Sequence, residues 1–473
     1  MSADQPASPQ YQLQATLKRL RQSWLDDRPA YEQRIDDLRN LRRTLHERLE
    51  EMAQVINADF GNRSTHETLL GEASVVFAEI DHALHHLKRW MKPQRRTAGW
   101  KLWPAKAELR FVPLGVVGII SPWNYPVNLA LAPLVAAVAA GNHVFLKPSE
   151  HTPHTSEFLR KLIADVFPDD RATVVLGDAH LSAEFSSLPF DHLFFTGSTA
   201  VGRKIMKAAA ENLTPVTLEL GGKSPAIIGE GASLKRAASS IATGKYFNAG
   251  QTCIAPDYVL IHQSKRDAFV TLLREETRKR YGEGSAQSDR TTIINDAQYA
   301  RLSSLLHDAE DNSEAIVPLI DAPTSQSHPR LMTPAAILEP GPTSAIMREE
   351  IFGPLLPIIS YRSIDEAIAY VLNHERPLAL YCFNDNTAEI ETVLSQVVAG
   401  GVCINDTLYH FACGNLPFGG VGHSGMGHYH GKDGFLTFSK AMPVLTKYTP
   451  AATDLIKPPY TGLVDRIIRF ITR

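Results

Sequence analysis

Apolar positions in the first ninety residues recur at helical spacing. Ile35, Leu38, Leu41, Leu45, Leu49, Met52 and Ile56 follow in steps of three and four, which predicts one long amphipathic helix stopped by Gly61. In "STHE", Ser64 and Glu67 have the spacing of a capping box, and Leu70, Ala73, Phe77, Ile80, Leu84 and Leu87 carry a second helix up to Pro93. After "RTAGWKLWPAKAELRFVP", where short strand-like runs lie between turn residues, the pattern changes. "GVVGIIS" precedes a helix from Pro126 to Ala140, "HVFLKPS" precedes another from about Thr155, and "ATVVLG" and "HLFFTG" follow. Continuous apolar strands trailed by helices indicate a parallel sheet covered on both faces, and such sheets bind ligands at the carboxyl ends of their strands. A second series starts near "VTLELGG" and "SPAIIGE" and runs to "GGVCIND" around Val402. The pattern therefore predicts an α/β chain of two domains sharing a cleft, without internal repeats.

Composition narrows the partners. The chain has 473 residues, 44% hydrophobic and 21% charged, with a formal net charge of -3, so no global basic field favours nucleic acid. The local cluster Lys88, Arg89, Lys92, Arg95 and Arg96 reads as a solvated face complementing a helix end. Cys253, Cys382, Cys403 and Cys413 show no CxxC spacing, which fits a reducing, cytoplasmic setting and argues against structural zinc. "MSADQPASPQ" does not resemble a secretory signal, and "VNLALAPLVAAVAA", interrupted by Pro133, is too short to span a bilayer and reads as a buried helix. At the end, "TGLVDRIIRFITR" sets Leu463, Ile467, Phe470 and Ile471 against Arg466, Arg469 and Arg473; docking on the protein itself is favoured over contact of this helix with a membrane surface.

Several stretches imitate known sites and fail on spacing. "GGKS" has Thr217 where a P-loop requires glycine, "GHSGM" has Met426 where a hydrolase elbow requires glycine, and His82 and His86 lack the glutamate of a zincin, so no metal site is expected. Four others suit one reaction. Lys147 and Glu150 in "LKPSE" offer a donor and an acceptor to a ribose diol, and "FTGSTAVG" places Gly197 and Gly202 where a strand turns into a helix whose N–H groups suit a phosphate. Asn124 in "SPWNYP" carries an amide donor suited to an oxyanion. Glu219 in "LELGG" sits between leucines, surroundings that raise a carboxyl pKa toward that of a base. Each also has a bland alternative: a surface ion pair, a turn, a cap, a satisfied carboxylate. Cys253 in "NAGQTCIAP" is by default a small packed residue, with Gly250 as room for a ligand to approach it.

In this order, and with "GQTCIAP", "EEIFGP" and "PFGGVGHSGMG", these motifs resemble the aldehyde dehydrogenase superfamily from about Asp59 to Lys440. "NYP", "GQTCIAPDYVL", "EEIFGPLLPI" and "SGMGHYHGKDGFLTFS" resemble its class 3 branch for fatty and aromatic aldehydes. The resemblance implies the aldehyde dehydrogenase fold: an NAD(P)-binding Rossmann-like domain over 1–93 and 114–218, an α/β catalytic domain over 219–405, a small oligomerisation β element over 94–113 and 406–445, and a tail over 446–473. It makes Cys253 the nucleophile, Glu219 the general base and Asn124 an oxyanion donor. Trp123, Lys147, Glu150, Gly197, Ser198, Gly202, Glu350 and Phe352 would hold the cofactor, NAD by the expected repulsion between Glu150 and a 2'-phosphate, with NADP open to class 3 relatives. Tyr125, Tyr246, Phe247, Tyr409 and Phe411 would line the tunnel for an aldehyde, either aromatic such as coniferaldehyde or medium- to long-chain aliphatic. The product would be the free acid, reached by water, and the assembly a homodimer. The alternative is a non-catalytic binding or structural member of the same fold, against which the presence of Asn124, Glu219, Cys253 and Glu350 argues.

Overall fold

The structure, a computed structural model, describes residues 9–282, 289–321 and 328–472. The long helix expected from Ile35 to Ile56 is two helices, Tyr31–Glu47 and Leu49–Phe60. The break falls at Arg48, whose N–H bonds Leu45 three residues back and whose guanidinium pairs with Glu51 and Asp165 and lies over Phe158. Gly61, at φ 88°, ends the second helix as expected, because a left-handed residue closes a helix most easily as glycine. The next helix is interrupted too: Thr65–Thr68, a π turn at Leu69–Ala73, then Ser74–Trp90. The widened turn rotates Leu70 outward, to 63% exposure, while Val76, Ile80, Ala83 and Leu87 stay in the core. Ser64 makes no capping bond here; its hydroxyl bonds Asp289, and Glu67 turns inward.

Among the described residues the strands form three sheets. β1 (Gln94–Arg96) and β2 (Ala105–Pro113) pair antiparallel, and the last strand of the chain completes that sheet. β3 (Val116–Ile120), β4 (His143–Lys147), β5 (Ala172–Val174), β6 (His192–Thr196) and β7 (Val216–Glu219) are parallel neighbours in the order β7-β6-β3-β4-β5. The "VTLELGG" strand thus closes the first series instead of opening the second. β8 (Pro225–Ile228), β9 (Tyr258–His262), β10 (Ala315–Pro318), β11 (Ala335–Leu338), β12 (Leu355–Tyr361), β13 (Ala379–Phe383) and β14 (Gly401–Ile404) make a seven-stranded sheet, β10-β11-β12-β9-β8-β13-β14, parallel except at β10. β15 (Gly425–Met426) returns antiparallel to β7, opposite Leu218 and Glu219. β16 (Ser439–Lys447) then pairs with β2 along its whole length.

Burial follows the apolar pattern. The helix Asn128–Ala140 is buried on every side, Pro133 included, between the first sheet and the N-terminal helices. Lys88, Arg89, Lys92, Arg95 and Arg96 are exposed, as a solvated face should be. The final helix, Gly462–Ile471, docks more thinly than expected: Val464 is buried and Lys101 reaches the Ile471 carbonyl, while Leu463 and Phe470 stay exposed. Among the described residues no helix is long and apolar enough to cross a membrane.

Candidate active site

Strand ends of the first sheet supply one half of the site. Past β3 come Trp123 and Asn124, past β4 Glu150, and past β6 Gly197 and Ser198. Lys147 closes β4 with its side chain 1% exposed, and its ammonium pairs with Glu150 at 2.9 Å. Burial pulls the Glu150 carboxyl upward, but its own backbone N–H and Lys147 hold it below the ordinary value. A paired donor and acceptor of this kind fits a sugar diol. Ser198 caps the helix Thr199–Ala210 through Val201 N–H, so the free N–H groups of that first turn suit a diphosphate. Gly202 serves packing: a Cβ there would lie 2.6 Å from Leu220 Cδ2, so glycine lets the helix sit close on the sheet.

In the other half Glu219 is buried, and Cys253 and Glu350 are half-buried. Glu219 ends β7 with neither carboxyl oxygen hydrogen-bonded among the described residues, and burial raises its pKa well above the ordinary value. Cys253 lies past a left-handed turn in which Asn248 (φ 52°, ψ 31°) and Ala249 (φ 54°, ψ 29°) each bear a strain of roughly 1–2 kcal/mol. Its thiol is pushed up to about 12 by burial, with the Glu350 and Glu219 carboxyls adding to the push and the N–H groups of Cys253 and Ile254 opposing it. The three groups thus share one desolvated space. Asn124 Nδ2 donates to the Gln251 carbonyl at 3.1 Å, two residues before the thiol. Gly250 does not leave room for a ligand. It has φ 74°, and a Cβ there would meet the Gly353 carbonyl, so glycine is required by the backbone that crosses it.

Glu350 and Phe352 enter from the segment before β12. Lys223 donates to the Ile346 and Glu349 carbonyls and pairs with Asp257, Asp257 accepts Ile351 N–H at 2.9 Å, and Arg301 holds the Ile351 carbonyl at 2.6 Å. The Glu350 carboxyl, bonded by Gly222 N–H, is pushed up to about 8 by burial and by Asp257. Phe352, at φ 49°, meets Trp123 edge-on with ring centroids 5.3 Å apart.

Of the five aromatic residues expected in a tunnel, the fold brings together Tyr125 and Phe247, stacked at 6.5 Å, with the Tyr125 hydroxyl on Thr252 at 2.7 Å. Phe411 is half-buried against Phe418 and His430. Tyr246 turns away to meet Tyr281 and is 3% exposed, and Tyr409 is 68% exposed on the surface. Sequence reasoning missed other residues near the thiol. Tyr381 donates to the Ile254 carbonyl, the buried Tyr429 feels Cys253 and Glu219, and the Lys245 ammonium is buried without a partner among the described residues, its pKa lowered to about 8 by burial. No spacing rule marks them, because each reaches the site from a different element. Among the described residues no group of three or more His, Cys, Asp or Glu is placed to hold a metal ion.

The geometry has counterparts. The model of the aldehyde dehydrogenase family matches residues 15–444. A protein named "Probable coniferyl aldehyde dehydrogenase" from Pseudomonas aeruginosa is 46% identical over 97% of this chain and 95% of its own length. The coniferyl aldehyde dehydrogenase of a Pseudomonas species is 44% identical over 97% of this chain and 95% of its own. A solved substrate-bound structure of Staphylococcus aureus AldH superposes with a TM-score of 0.91 at 38% identity, covering 97% of this chain and 99% of that one. The chain belongs to the aldehyde dehydrogenase family. It is an enzyme of NAD(P)-dependent aldehyde oxidation.

Proposed function

We propose that Cys253 is the nucleophile, Glu219 the base and Asn124, with the Cys253 N–H, the oxyanion donor for oxidation of an aldehyde to its free acid. The observation that carries this reading is the unpartnered Glu219 carboxyl acting on the Cys253 thiol, with the Asn124 amide bonded two residues before that thiol. Attack of the sulfur on the carbonyl carbon gives a thiohemiacetal whose oxyanion Asn124 stabilises. A thiol held near 12 is almost wholly protonated at neutral pH, so the attack requires a proton acceptor, and Glu219 supplies one directly or through water. When bound, a nicotinamide would supply the hydride acceptor needed to take the hemiacetal to a thioester. Once Glu219 has released the thiol proton to solvent, it takes a proton from water as the water adds to the thioester, and it passes that proton to the sulfur of Cys253, which departs as a thiol.

Lys147 and Glu150 would hold the adenosine ribose, the first turn at Ser198 the diphosphate, and Glu350, Phe352 and Trp123 the nicotinamide end. The ionised Glu150 disfavours a 2'-phosphate and supports NAD over NADP. For the substrate we favour an aromatic aldehyde of the coniferaldehyde type. The stacked Tyr125 and Phe247 and the names of the two Pseudomonas relatives support this choice. Exposed Met442 and Leu445 on the edge strand β16 support a dimer formed along the three-stranded sheet. Initial rates with coniferaldehyde, benzaldehyde and hexanal, each with NAD and NADP, test the reading. The highest kcat/KM is expected for coniferaldehyde with NAD; a preference for hexanal overturns the substrate choice.

A further inference from the structure

Glu67 has the spacing of a helix-capping residue, yet its carboxylate leaves the helix and crosses to the turn that presents Cys253. Glu67 Oε2 accepts the Asn248 N–H at 3.0 Å and the Thr291 hydroxyl at 2.7 Å. Asn248 in turn donates through Nδ2 to the Asn124 carbonyl at 3.0 Å and to the Gln251 carbonyl at 3.1 Å. Arg63, four residues before Glu67, also reaches residue 124. Its Nη1 donates to the Asn124 carbonyl and to Glu72 Oε1, each at 3.1 Å, with both charged side chains fully buried. The second oxygen of Glu72 accepts the N–H groups of Val127 and Asn128, which start the buried helix behind Asn124. One short stretch, Arg63 to Glu72, thus grips both the oxyanion donor and the nucleophile's turn.

We propose that Glu67 and Arg63 are positioning residues for the reaction: Glu67 fixes the left-handed Asn248–Ala249 turn, and Arg63 fixes the backbone of Asn124, so that sulfur and amide face one carbonyl group. The proposal rests on the reading of Cys253 as nucleophile. Its physical basis is that two left-handed, non-glycine residues persist only where their surroundings over-determine them. An acceptor on the Asn248 N–H and a doubly bonded Asn124 carbonyl do so here. Burial pushes Glu67 up to about 7, against which Thr291, Arg63 and the Asn248 N–H act.

The test compares Glu67→Ala, Glu67→Gln and Cys253→Ala in the full-length protein. Glu67→Ala is expected to lower kcat about 10- to 100-fold, the usual cost of a misplaced reacting group, and to slow iodoacetamide labelling of the Cys253 peptide. The KM for NAD should stay within about twofold, because the strand ends that hold the nucleotide are untouched. Glu67→Gln keeps an acceptor oxygen and is expected to recover most of kcat. A Glu67→Ala kcat within twofold of the parent, or a glutamine variant as impaired as the alanine one, overturns the proposal. Should Glu67→Ala not fold, Thr291→Val removes one hydroxyl from the same carboxylate; an about two- to fivefold loss of kcat at unchanged KM for NAD is expected, and parental kcat overturns the proposal. Turnover by Cys253→Ala would instead sink the reading of the nucleophile, a distinguishable result.

Discussion

The two halves of the site handle charge in opposite ways. At the strand ends, Lys147 and Glu150 are paired and Glu150 ionises more readily than a free carboxyl. Around the thiol, Glu219, Cys253 and Glu350 hold their protons more tightly than they would in water, because burial penalises each charged form. On the proposed reading, one half would recognise a ligand with standing charges, and the other would withhold charge until a reaction calls for it. The contrast is a matter of pairing. The Lys147 ammonium, although 1% exposed, has its charge answered by Glu150, whereas an unpaired buried charge is costly enough to change its protonation state.

Five measurements press on this contrast, beginning with the largest effect. Replacing Cys253 by alanine should cut turnover at least about 1000-fold while NAD binding, followed by calorimetry, stays near parental, since only the buried half is damaged. Residual turnover above one per cent would dissolve the distinction. Glu219→Gln is expected to lower steady-state kcat about 100- to 1000-fold without a burst of NADH, because the attacking thiol loses its proton acceptor. A stoichiometric burst would confine Glu219 to hydrolysis of the thioester.

Next comes pH. Raised thiol and carboxyl pKa values mean that the basic forms appear only as protons leave, so kcat should climb as pH rises above 7. Stability should move the other way between pH 6.5 and 8. Glu67 and Glu350, raised from 4.5 to about 7 and about 8, add stability that is complete below pH 4.5 and lost as pH rises through those values. A melting temperature that is flat or rising over that window contradicts the sign. The smallest effect belongs to the open half. Glu150→Gln should improve kcat/KM for NADP relative to NAD by about five- to tenfold and leave kcat with NAD near parental; an unchanged ratio would remove Glu150 from cofactor choice.

Legibility in the sequence differed between the halves in the same way. Lys147, Glu150, Gly197 and Ser198 follow apolar strands directly, so the rule that parallel sheets bind at their carboxyl ends locates them without coordinates. Cys253, Glu219, Asn124 and Glu350 emerged only as a set of motifs in order, since each alone has a bland alternative. Arg63, Glu67, Lys245 and Tyr429 were invisible: they reach the site across sheets and helices, and "STHE" even pointed to a cap that Ser64 does not make. Aromatic residues misled for a related reason. Tyr246 and Tyr409 lie close in the chain to Phe247 and Phe411, but neighbours on a helix or loop face different ways.

What the sequence by itself determined was the alternation of apolar strands and helices, the glycine stop at Gly61, and the ordered motifs that mark the family. These are local, and periodicity or short spacing writes them along the chain. Tertiary structure alone decided that helix 35–56 breaks at Arg48, that β7 closes the first sheet, and that Glu67 serves the Cys253 turn. Each depends on which distant groups share a water-poor space, and that follows from packing, which makes partners of residues about 180 positions apart as readily as of neighbours.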